Sequence, residues 1–504
     1  MLSLAIILLL SVVDLGQARP PGLFSVRASS ATLPHQNYTV TTTGTSTSST
    51  TTGKRPLRIC ILWEPSPLTY LSGQAGRFHA LVQHLANSDE YRVPITDATT
   101  AADTTGTTYP YLHLVTAEKA HPNPPKCFQP KDEGKQAATT SPTIPVHYSQ
   151  GVVLPNYAGL TVCADWTAKV LRLLFPFGRG KDSQFDLMHV TTPGFLIFPV
   201  LVARVLYQVP LVISYHTHLP VYMRSYFPMI PRLAEWCAWA IIRFGHSFAD
   251  MTLLTSPQIA QEFRDHNIDR CRVWPKGIDT ERFHPRFKSA AMRKRMIAGG
   301  REDCFLLVYI GRLAREKRLE ELKTLLSKLN GDDLADHPDK APYRLCIVGS
   351  GPTEQQLRAH FEGTPTTFLG RLDGEELSQA FASGDVFVMP SDSETLGFVV
   401  LESMASGVPC VAAKAGGLLD IIQHNQTGLF AQTGNIAEFA ACVKELQYNP
   451  ECRKRLSEVG RQETQKWSWD ASMKHVQEDL YQEAIRNFSQ RPMQRFLRWL
   501  RIKQ

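Results

Sequence analysis

The sequence predicts an α/β protein in which two doubly wound domains face each other across a cleft. Two series of short apolar runs alternate with helix-like segments, one on each side of a Pro- and charge-rich connection at about Lys276 to Arg301. This alternation is typical of parallel sheets covered by helices. The 504 residues suffice for two or three domains. Ligands of such sheets bind beyond the carboxyl ends of the strands, so two facing sheets predict a two-substrate site in the cleft.

Composition and charge exclude several classes of protein. Hydrophobic residues make up 43% of the chain and charged residues 20%, which excludes global disorder. No uncharged apolar run reaches the ~20 residues that a membrane span requires. The net charge of +7 is small for this length, so it favours anionic small molecules or an anionic membrane surface and predicts no nucleic-acid partner. The ten cysteines include no CxxC pair, which argues against a zinc site.

Residues 1–54 are predicted to be a targeting leader. The segment Met1–Val13 is apolar, and the Ser- and Thr-rich stretch between Ala18 and the first strand contains no Asp or Glu. This two-part composition is typical of leaders that direct proteins into algal plastids with extra membranes, which would place the protein at the envelope or thylakoid surface. The alternative is the secretory pathway, which the glycosylation sequon Asn37–Thr39 would suit.

Residues 55–283 are predicted to form the N-terminal domain. The apolar run LRICILW, a Pro- and Gly-rich loop and a helix-like segment, Arg77–Leu85, follow one another as in the first unit of a Rossmann-like fold. Further strands are predicted at FDLMHV, PLVISYHTH and DMTLLTS. Residues 96–150 show no periodicity and are rich in Thr, Pro, Lys and Ala, so we expect a mobile surface insertion there.

Residues 284–468 are predicted to form the second domain. Its strands are FLLVYIG, YRLCIVG, DVFVMP and VPCVAA, and its helices include Lys317–Leu329 and Asn435–Gln447. Residues 469–504 are predicted to be a helix with a basic, aromatic tail.

The segment SDSETLGFVVLESMASG, Ser391–Gly407, carries the most information about function. It follows a strand and is predicted to open a helix near Leu396, where the unpaired N–H groups of Thr395, Leu396 and Gly397 would make an anion site. Glu394 precedes this helix and Glu402 lies within it, roughly 12 Å further along the axis at ~1.5 Å per residue. Such a separation suits a nucleotide sugar, which has hydroxyls at both ends and phosphates in the middle. The alternative is a pair of solvated helix glutamates.

The segment YIGRLAREKRLEEL supplies two candidate phosphate-binding cations. Arg312 and Lys317 follow its strand, and cations at the start of a helix oppose the macrodipole unless an anion compensates them. The alternative is a solvated basic face. Two glycine loops are weaker signals, because glycine turns between strand and helix are common; they contain Gly349 and Gly351 in one case and Gly73 in the other.

Two histidines follow the strand PLVISY. His216 and His218 are two residues apart and would diverge if the strand continued. A polar residue at the carboxyl end of a strand faces the predicted cleft, and histidine titrates near neutral pH. The alternative for each is a hydrogen-bonded structural histidine.

At these residues the chain resembles glycosyltransferase family 4, whose members have the GT-B architecture of two facing Rossmann-like domains. The resemblance covers about Leu57 to Trp469 and rests on EPSPLTYLSG, DLMHVTTPG, SYHTHLPVYM, WPKGID, GRLAREK, GDVFVMPSDSETLGFVVLE and AGGLLDII in this order. EPSP, YHTHLPVY and SDSETLGFVVLE resemble in particular the plant and cyanobacterial sulfolipid synthases, which transfer sulfoquinovose from UDP-sulfoquinovose to diacylglycerol. The resemblance implies a retaining, metal-independent hexosyltransferase with no cofactor.

The resemblance also implies roles for individual residues. Arg312 and Lys317 would bind the donor diphosphate, and Glu402 would hold the ribose hydroxyls. His216 and Glu394 would contact the transferred sugar as catalytic residues. The other donor-binding positions would be Gly73, Gly349, Gly351, Leu396 and Gly397.

Two cations are candidates for binding the sulfonate. The linker motif reads WPKGID, with Lys276 where many family 4 relatives carry Asn, and Arg77 follows the first glycine loop. The motivation is the extra negative charge of this donor. The alternative functions are a lipid glycosyltransferase that uses UDP-glucose, UDP-galactose or GDP-mannose, and a sugar-nucleotide-binding protein without catalysis.

A lipid acceptor implies contact with an anionic membrane. Aromatic and basic side chains in the N-terminal domain have the character of interfacial anchors, and so does the basic tail. The alternative for the tail is a helix that packs back across both domains. The candidates in the domain are Tyr222, Met223, Arg224, Tyr226, Phe227 and Trp236, and the basic ones in the tail are Arg491, Arg495, Arg498, Arg501 and Lys503.

Overall fold

The computed structural model describes residues 57–64, 73–88, 112–118, 127–128, 144–153, 161–163, 185–331 and 341–491. The predicted leader and the tail residues after Arg491 lie outside these ranges. The described residues form two separate sheets with helices packed on them. This arrangement confirms the predicted class of two Rossmann-like α/β domains.

The N-terminal sheet is built around a fully buried central strand. Its strands are β1 Ile59–Trp63, β2 Leu112–Glu118, β3 Cys127–Phe128, β4 Ile144–Val153, β5 Thr161–Cys163, β6 Leu187–Thr192, β7 Leu211–Tyr215, β8 Met251–Leu254 and β9 Cys271–Val273. They lie in the order β3-β4-β2-β1-β6-β7-β8-β9, with β5 beside β4. All pairs from β4 to β9 along this order are parallel. The direction of strand addition therefore reverses between β1 and β6, where such sheets bind ligands.

The prediction that residues 96–150 form a surface insertion is wrong for β2 and β4. β2 lies within this range and β4 begins in it, and β2 pairs with β1 so that Leu112 stands opposite Ile59. Leu112 and Val115 are completely buried. The apolar alternation of LHLVTAE was the available signal, but the Thr- and Pro-rich stretches around it hid a strand of only seven residues.

Apolar residues at helical spacing fix the N-terminal helices on this sheet. Phe78, Leu81, Val82 and Leu85 are fully buried against β1, in positions i, i+3, i+4 and i+7 of one helix face. That helix is longer than predicted because it begins within the glycine loop. The helices are α1 Gly73–Asn87, α2 Ile197–Tyr207, α3 Leu219–Tyr226, α4 Pro231–Ser247 and α5 Pro257–Asp265.

The C-terminal sheet is parallel throughout. Its strands are β10 Phe305–Ile310, β11 Tyr343–Val348, β12 Thr366–Gly370, β13 Val386–Met389, β14 Cys410–Ala413 and β15 Leu429–Ala431. Their order, β12-β11-β10-β13-β14-β15, places the reversal between β10 and β13. The helices are α6 Ala290–Ile297, α7 Glu321–Asn330, α8 Glu354–His360, α9 Gly374–Ala382, α10 Phe398–Ala405, α11 Ile436–Tyr448 and α12 Pro450–Gln465.

The end of the chain returns to the N-terminal domain. Helix α13, Trp469–His475, a π-helical turn, Val476–Leu480, and helix α14, Tyr481–Gln490, pack on the core around β1. The Tyr481 hydroxyl bonds to His189 at 2.8 Å. Arg491 donates to the buried Asp250 carboxylate at 2.7 Å. Arg491 therefore binds the end of the chain to the N-terminal domain and is not a membrane anchor, which corrects its prediction. This contact supports the alternative in which the start of the tail packs back on the protein.

Candidate active site

The two charged motifs meet at the carboxyl ends of β10 and β13. Because these strands flank the reversal point, the loops that follow them share one edge of the sheet. The first loop carries Arg312 and the second carries Glu394. The hydroxyls of Ser391 and Ser393 donate to the Glu316 carbonyl at 3.3 and 3.4 Å, which fastens the loops together. Two segments about 80 residues apart in the chain thereby form one site.

An ion pair between Lys317 and Glu394 lies at the centre of this site. Lys317 Nζ donates to Glu394 Oε1, and the two side chains are only 15% and 11% exposed. The sequence placed Lys317 in the first turn of a helix, whereas it ends a short 3-10 turn and α7 begins at Glu321. The reason is Arg318, whose left-handed backbone (φ +53°) separates the turn from the helix.

Arg312 and Glu316 form the second charged pair, and Tyr222 faces them from the other domain. The Arg312 guanidinium lies 3.8 Å from the Glu316 carboxylate. Burial raises the pKa of the Tyr222 hydroxyl well above its usual value; Glu316 adds to this rise, while Arg312 opposes it. Tyr222 therefore belongs to the cleft, which corrects its prediction as a membrane anchor.

The helix that carries Glu402 begins later than the sequence indicated. Helix α10 starts at Phe398, with Gly397 as its N-terminal cap in the left-handed region (φ +94°). Leu396 is buried in the C-terminal core. The free N–H groups of a helix belong to its first turn, so the anion-binding edge shifts from residues 395–397 to residues 397–399. A side chain at Gly397 would also collide with Leu418.

Glu402 is a half-buried carboxyl group in the middle of α10. Burial raises its pKa to about 7, and Arg282 partly opposes this rise. Within the described residues no ion pair neutralises it, in contrast to Glu394. A carboxylate in this state is suited to accept hydrogen bonds from neutral hydroxyl groups, as the sequence predicted for the ribose.

Thr395 joins the glutamate loop to the N-terminal domain through two hydrogen bonds. Its hydroxyl donates to the His216 carbonyl at 2.9 Å, and its carbonyl accepts from the Thr255 hydroxyl at 2.8 Å. Thr255 directly follows β8, and His216 directly follows β7. The position of Glu394 is therefore tied to the same strand ends that carry His216.

Replacing either threonine by valine is expected to lower kcat/KM. Thr395→Val and Thr255→Val each remove one hydrogen bond across the cleft, at about 1 kcal/mol, which corresponds to roughly a 5- to 10-fold loss. Steady-state kinetics of both variants measure this, and Thr324→Val on the exposed surface of α7 is the matched control. Unchanged kinetics in both variants would refute a role for these bonds.

His216 is held as a neutral imidazole. Its backbone N–H donates to the Thr192 carbonyl at 3.0 Å, and its ring packs edge-on against Phe78 and Trp274. Burial, followed by the charge of Arg77, lowers its pKa well below 6.5. At neutral pH this ring can therefore exchange hydrogen bonds with a sugar hydroxyl.

His218 lies apart from His216 and has a structural partner. It precedes α3 and bonds to the Glu262 carboxylate at 2.8 Å. The structural alternative fits this histidine.

Arg77 and Lys276, the sulfonate candidates, lie in different surroundings. The Arg77 guanidinium is fully buried, 5.1 Å from the Trp274 ring centroid and 5.3 Å from that of Phe398. Lys276 donates to the Asp420 carbonyl and stacks over Trp467 at 4.6 Å. Lys276 thus fastens the linker to the C-terminal domain, whereas Arg77 lies where both domains meet.

Two of the predicted glycines, Gly349 and Gly351, have steric reasons to be glycine. Gly73 begins α1. A Cβ atom at Gly349 would collide with the Gly311 carbonyl, and one at Gly351 would collide with the Leu313 carbonyl. These two glycines let their loop pack against the one that carries Arg312. Their predicted contact with the donor stays a prediction.

Two family models match successive parts of the chain. The model described as "Glycosyltransferase Family 4" matches residues 119–282, and the model described as "Glycosyl transferases group 1" matches residues 293–463. The chain is also 34% identical over 441 residues to sulfoquinovosyl transferase SQD2 of Arabidopsis thaliana, covering 86% of this chain and 74% of that protein. The chain belongs to glycosyltransferase family 4. It is a glycosyltransferase enzyme with the GT-B fold.

Other members of the family match over a smaller part of this glycosyltransferase. A GDP-mannose-dependent alpha-mannosyltransferase of Mycobacterium tuberculosis is 34% identical over 270 residues, which is 53% of this chain and 64% of that protein. Among solved structures, sucrose-phosphate synthase from Thermosynechococcus elongatus has a TM-score of 0.60 at 20% identity and covers 85% of this chain and 99% of that one. Anabaena HepE, in complex with UDP and glucose, has a TM-score of 0.55 at 16% identity, with 84% and 99% covered. These structures show the shared fold.

Several site residues of this glycosyltransferase were missed at the sequence level. Thr255, Tyr222 and Phe398 contact the motif residues only because the two domains face each other. Trp274 contacts Arg77 and His216 within the N-terminal domain. The position of Thr255 at the end of a predicted strand was the one available signal. The described residues also contain no group of three or more His, Cys, Asp or Glu side chains placed to hold a metal ion.

Proposed function

We propose that this glycosyltransferase moves sulfoquinovose from UDP-sulfoquinovose to diacylglycerol and retains the configuration of the transferred carbon. The observation that carries this proposal is the 34% identity to SQD2, a sulfoquinovosyl transferase by name, over 86% of the chain. The described cleft supports it with cations for a diphosphate and acidic side chains for hydroxyl groups. A donor of this kind needs both.

Arg312 and Lys317 are proposed to stabilise the departing UDP. Both lie on the loop after β10, beside the first turn of α10, so two positive side chains and a helix N-terminus act on the same region. Charge develops on the diphosphate as the glycosidic bond breaks, and fixed positive groups there lower the barrier without reorganisation. We propose on this basis that the reaction needs no metal and no cofactor.

His216 and Glu394 are proposed to position the transferred sugar. The neutral imidazole of His216 can hydrogen-bond to the sugar from the N-terminal side, and Glu394, oriented by Lys317, can accept from a sugar hydroxyl on the opposite side. Retention then follows from attack of the acceptor on the face that UDP leaves. No carboxylate nucleophile is assigned.

A turnover assay with purified enzyme tests this proposal. UDP-sulfoquinovose and diacylglycerol in mixed micelles should give sulfoquinovosyldiacylglycerol, and EDTA should leave the rate unchanged. Product formed only with UDP-glucose, UDP-galactose or GDP-mannose would overturn the proposed donor. Donor binding without turnover of any of the four donors would indicate a binding protein.

A lipid glycosyltransferase with a different donor is the second candidate. It is favoured by the mannosyltransferase matches, which reach 34% identity over 53% of the chain. The shorter span of these matches is the reason that sulfoquinovose is preferred. The same four-donor assay separates the two candidates.

We also propose that the enzyme binds an anionic membrane through helix α4 and the residues just before it. Met229, Ile230, Leu233 and Trp236 are 91%, 46%, 55% and 61% exposed, and Arg232 lies exposed among them. Apolar side chains beside a cation are suited to a membrane interface. Trp236 was a predicted anchor; the predicted tail anchors after Arg491 lie outside the described residues. None of the described helices is long and apolar enough to cross a bilayer.

The double substitution Leu233→Ser and Trp236→Ser is expected to weaken binding to anionic vesicles by at least about 10-fold, because each apolar side chain contributes about 1.5–3 kcal/mol when buried. Co-sedimentation with phosphatidylglycerol vesicles measures this. Tyr448→Ser, an equally exposed aromatic on the C-terminal domain, is the control. The proposal would be contradicted if vesicle binding by the wild type did not change with salt concentration or with the content of anionic lipid.

The acceptor and the leader composition together support a plastid location. Residues 1–54 lie outside the described residues, so this proposal rests on sequence. A fluorescent protein fused to residues 1–54 should enter plastids. Secretion of the fusion would favour the alternative.

A further inference from the structure

Arg77 is a buried cation without a hydrogen-bond partner. It lies on α1 with no exposed surface, and Nε, Nη1 and Nη2 have no acceptor in the part of the chain that the structure describes. Burial lowers its pKa to about 9, so it is still charged at neutral pH. A guanidinium carries five N–H donors, and leaving them unpaired away from water is costly. The group that completes this site is an acceptor, and an anion fits best.

The surroundings of Arg77 place that anion in the cleft. The guanidinium lies between Trp274, from the linker side, and Phe398, the first residue of α10. Its charge also acts on His216, the residue proposed to contact the transferred sugar. Two aromatic faces hold the guanidinium plane without using its N–H donors.

The other basic residues of the site already have anionic or carbonyl partners. Lys317 is paired with Glu394, Arg312 lies near Glu316, and Lys276 donates to the Asp420 carbonyl. Arg312 and Lys317 lie on the C-terminal loop, on the side of the diphosphate. Arg77 approaches from the N-terminal domain, on the side of the sugar.

We propose that Arg77 binds the sulfonate of the donor and sets the preference of the enzyme for UDP-sulfoquinovose over uncharged UDP-hexoses. This inference rests on the proposed function. The planar guanidinium can donate two parallel hydrogen bonds to two sulfonate oxygens. A neutral hexose leaves the buried guanidinium without an anionic partner, and a site built for a polar group rejects a ligand that lacks it. Lys276 is assigned a structural role in the linker.

Binding measurements with three ligands test this inference. Arg77→Met keeps an unbranched side chain between the two rings, and it is expected to raise the Kd of UDP-sulfoquinovose on the order of 100-fold. The Kd values of UDP-glucose and UDP should stay within about 2-fold, since neither ligand carries a sulfonate. Arg77→Lys keeps the positive charge but cannot donate two parallel hydrogen bonds, so its Kd for UDP-sulfoquinovose should lie between those of Arg77→Met and the wild type. Lys276→Met should change the Kd values of UDP-sulfoquinovose, UDP-glucose and UDP by the same factor.

The outcomes separate this inference from the proposed function. If the wild type turns over UDP-sulfoquinovose but Arg77→Met weakens all three ligands equally, or none, the sulfonate role of Arg77 is refuted and the proposed function stands. If the wild type neither binds nor uses UDP-sulfoquinovose, the proposed function fails and the inference fails with it. Thermal unfolding of Arg77→Met shows whether the variant is folded, and Arg77→Lys supplies the comparison if it is not.

Discussion

Lys317→Met should lower kcat with saturating donor on the order of 10³-fold, because it removes a fixed positive charge from the position proposed for the leaving diphosphate. Its loss also leaves the Glu394 carboxylate without its cation in a site where both side chains are mostly buried. We therefore expect the defect to appear mainly in kcat, with a smaller rise in donor KM. Steady-state kinetics over a range of donor concentrations measure both.

The matched control for this prediction is Lys328→Met. Lys328 is exposed on α7, the helix that follows the same loop, and has the same charge. It should retain wild-type kinetics. A Lys317→Met enzyme with wild-type kcat, or one that loses activity only through unfolding below the assay temperature, would contradict the proposed role of this lysine.

Glu402→Gln should abolish the acid limb of the pH profile of kcat/KM. With a pKa of about 7, the Glu402 carboxyl of the free enzyme gains a proton as pH falls, and the protonated form accepts hydrogen bonds from hydroxyl groups less well. The wild type should therefore lose kcat/KM below about pH 7. The amide of the variant does not titrate, so its lower activity should be flat with pH.

The same substitution should change how stability depends on pH. A folded pKa of about 7 against an ordinary value of 4.5 means that the folded state holds the proton more tightly, so stability falls as pH rises from about 4.5 to 7. Glu402→Gln removes this loss, worth about 3 kcal/mol. Chemical unfolding at pH 5 and pH 8 should therefore show the variant relatively more stable at the higher pH.

Glu458→Gln is the control for both measurements. Glu458 is exposed on α12 and forms only a long ion pair with Lys454 at 3.9 Å. The pH dependence of kcat/KM and of stability in this variant should match that of the wild type. An unaltered acid limb in Glu402→Gln would show that another group controls donor binding.

The charged motifs could be identified from sequence because each is local. Arg312 and Lys317 lie five residues apart after one strand, and Glu394 and Glu402 lie eight apart after another. Strand, loop and helix in that order place such side chains at the carboxyl edge of a sheet. Details of the loops were less predictable: Lys317 ends a 3-10 turn and α10 starts at Phe398, because single left-handed residues shift the helix starts.

Strands in an unusual composition were not predictable. β2 and β4 lie among Thr- and Pro-rich segments. β2 pairs with β1, whose residues lie 53 positions earlier, and β4 pairs with β2, whose residues lie 32 positions earlier. Such pairing leaves only a short apolar alternation in the sequence. Residues 96–150 were therefore predicted to be an insertion, although they contribute to three strands of the N-terminal sheet, β2, β3 and β4.

The partners of Arg77 and Lys276 also depended on tertiary structure. Both are basic residues near family motifs, and nothing local distinguishes them. Arg77 lies between Trp274 and Phe398 and has no hydrogen-bond acceptor among the described residues. Lys276 donates to the Asp420 carbonyl. The difference comes from which domain surface each side chain meets.

The amino-acid order alone determined the two-domain α/β class and the residues that carry charge, because helix and strand periodicity and strand-end motifs are encoded within short windows. Tertiary structure decided which of those residues act together. The bond from Thr395 to the His216 carbonyl and the stacking of Phe398 on Arg77 join residues more than 170 positions apart. Only the packing of one domain against the other brings such groups into contact, and desolvation shifts the pKa values of His216 and Glu402.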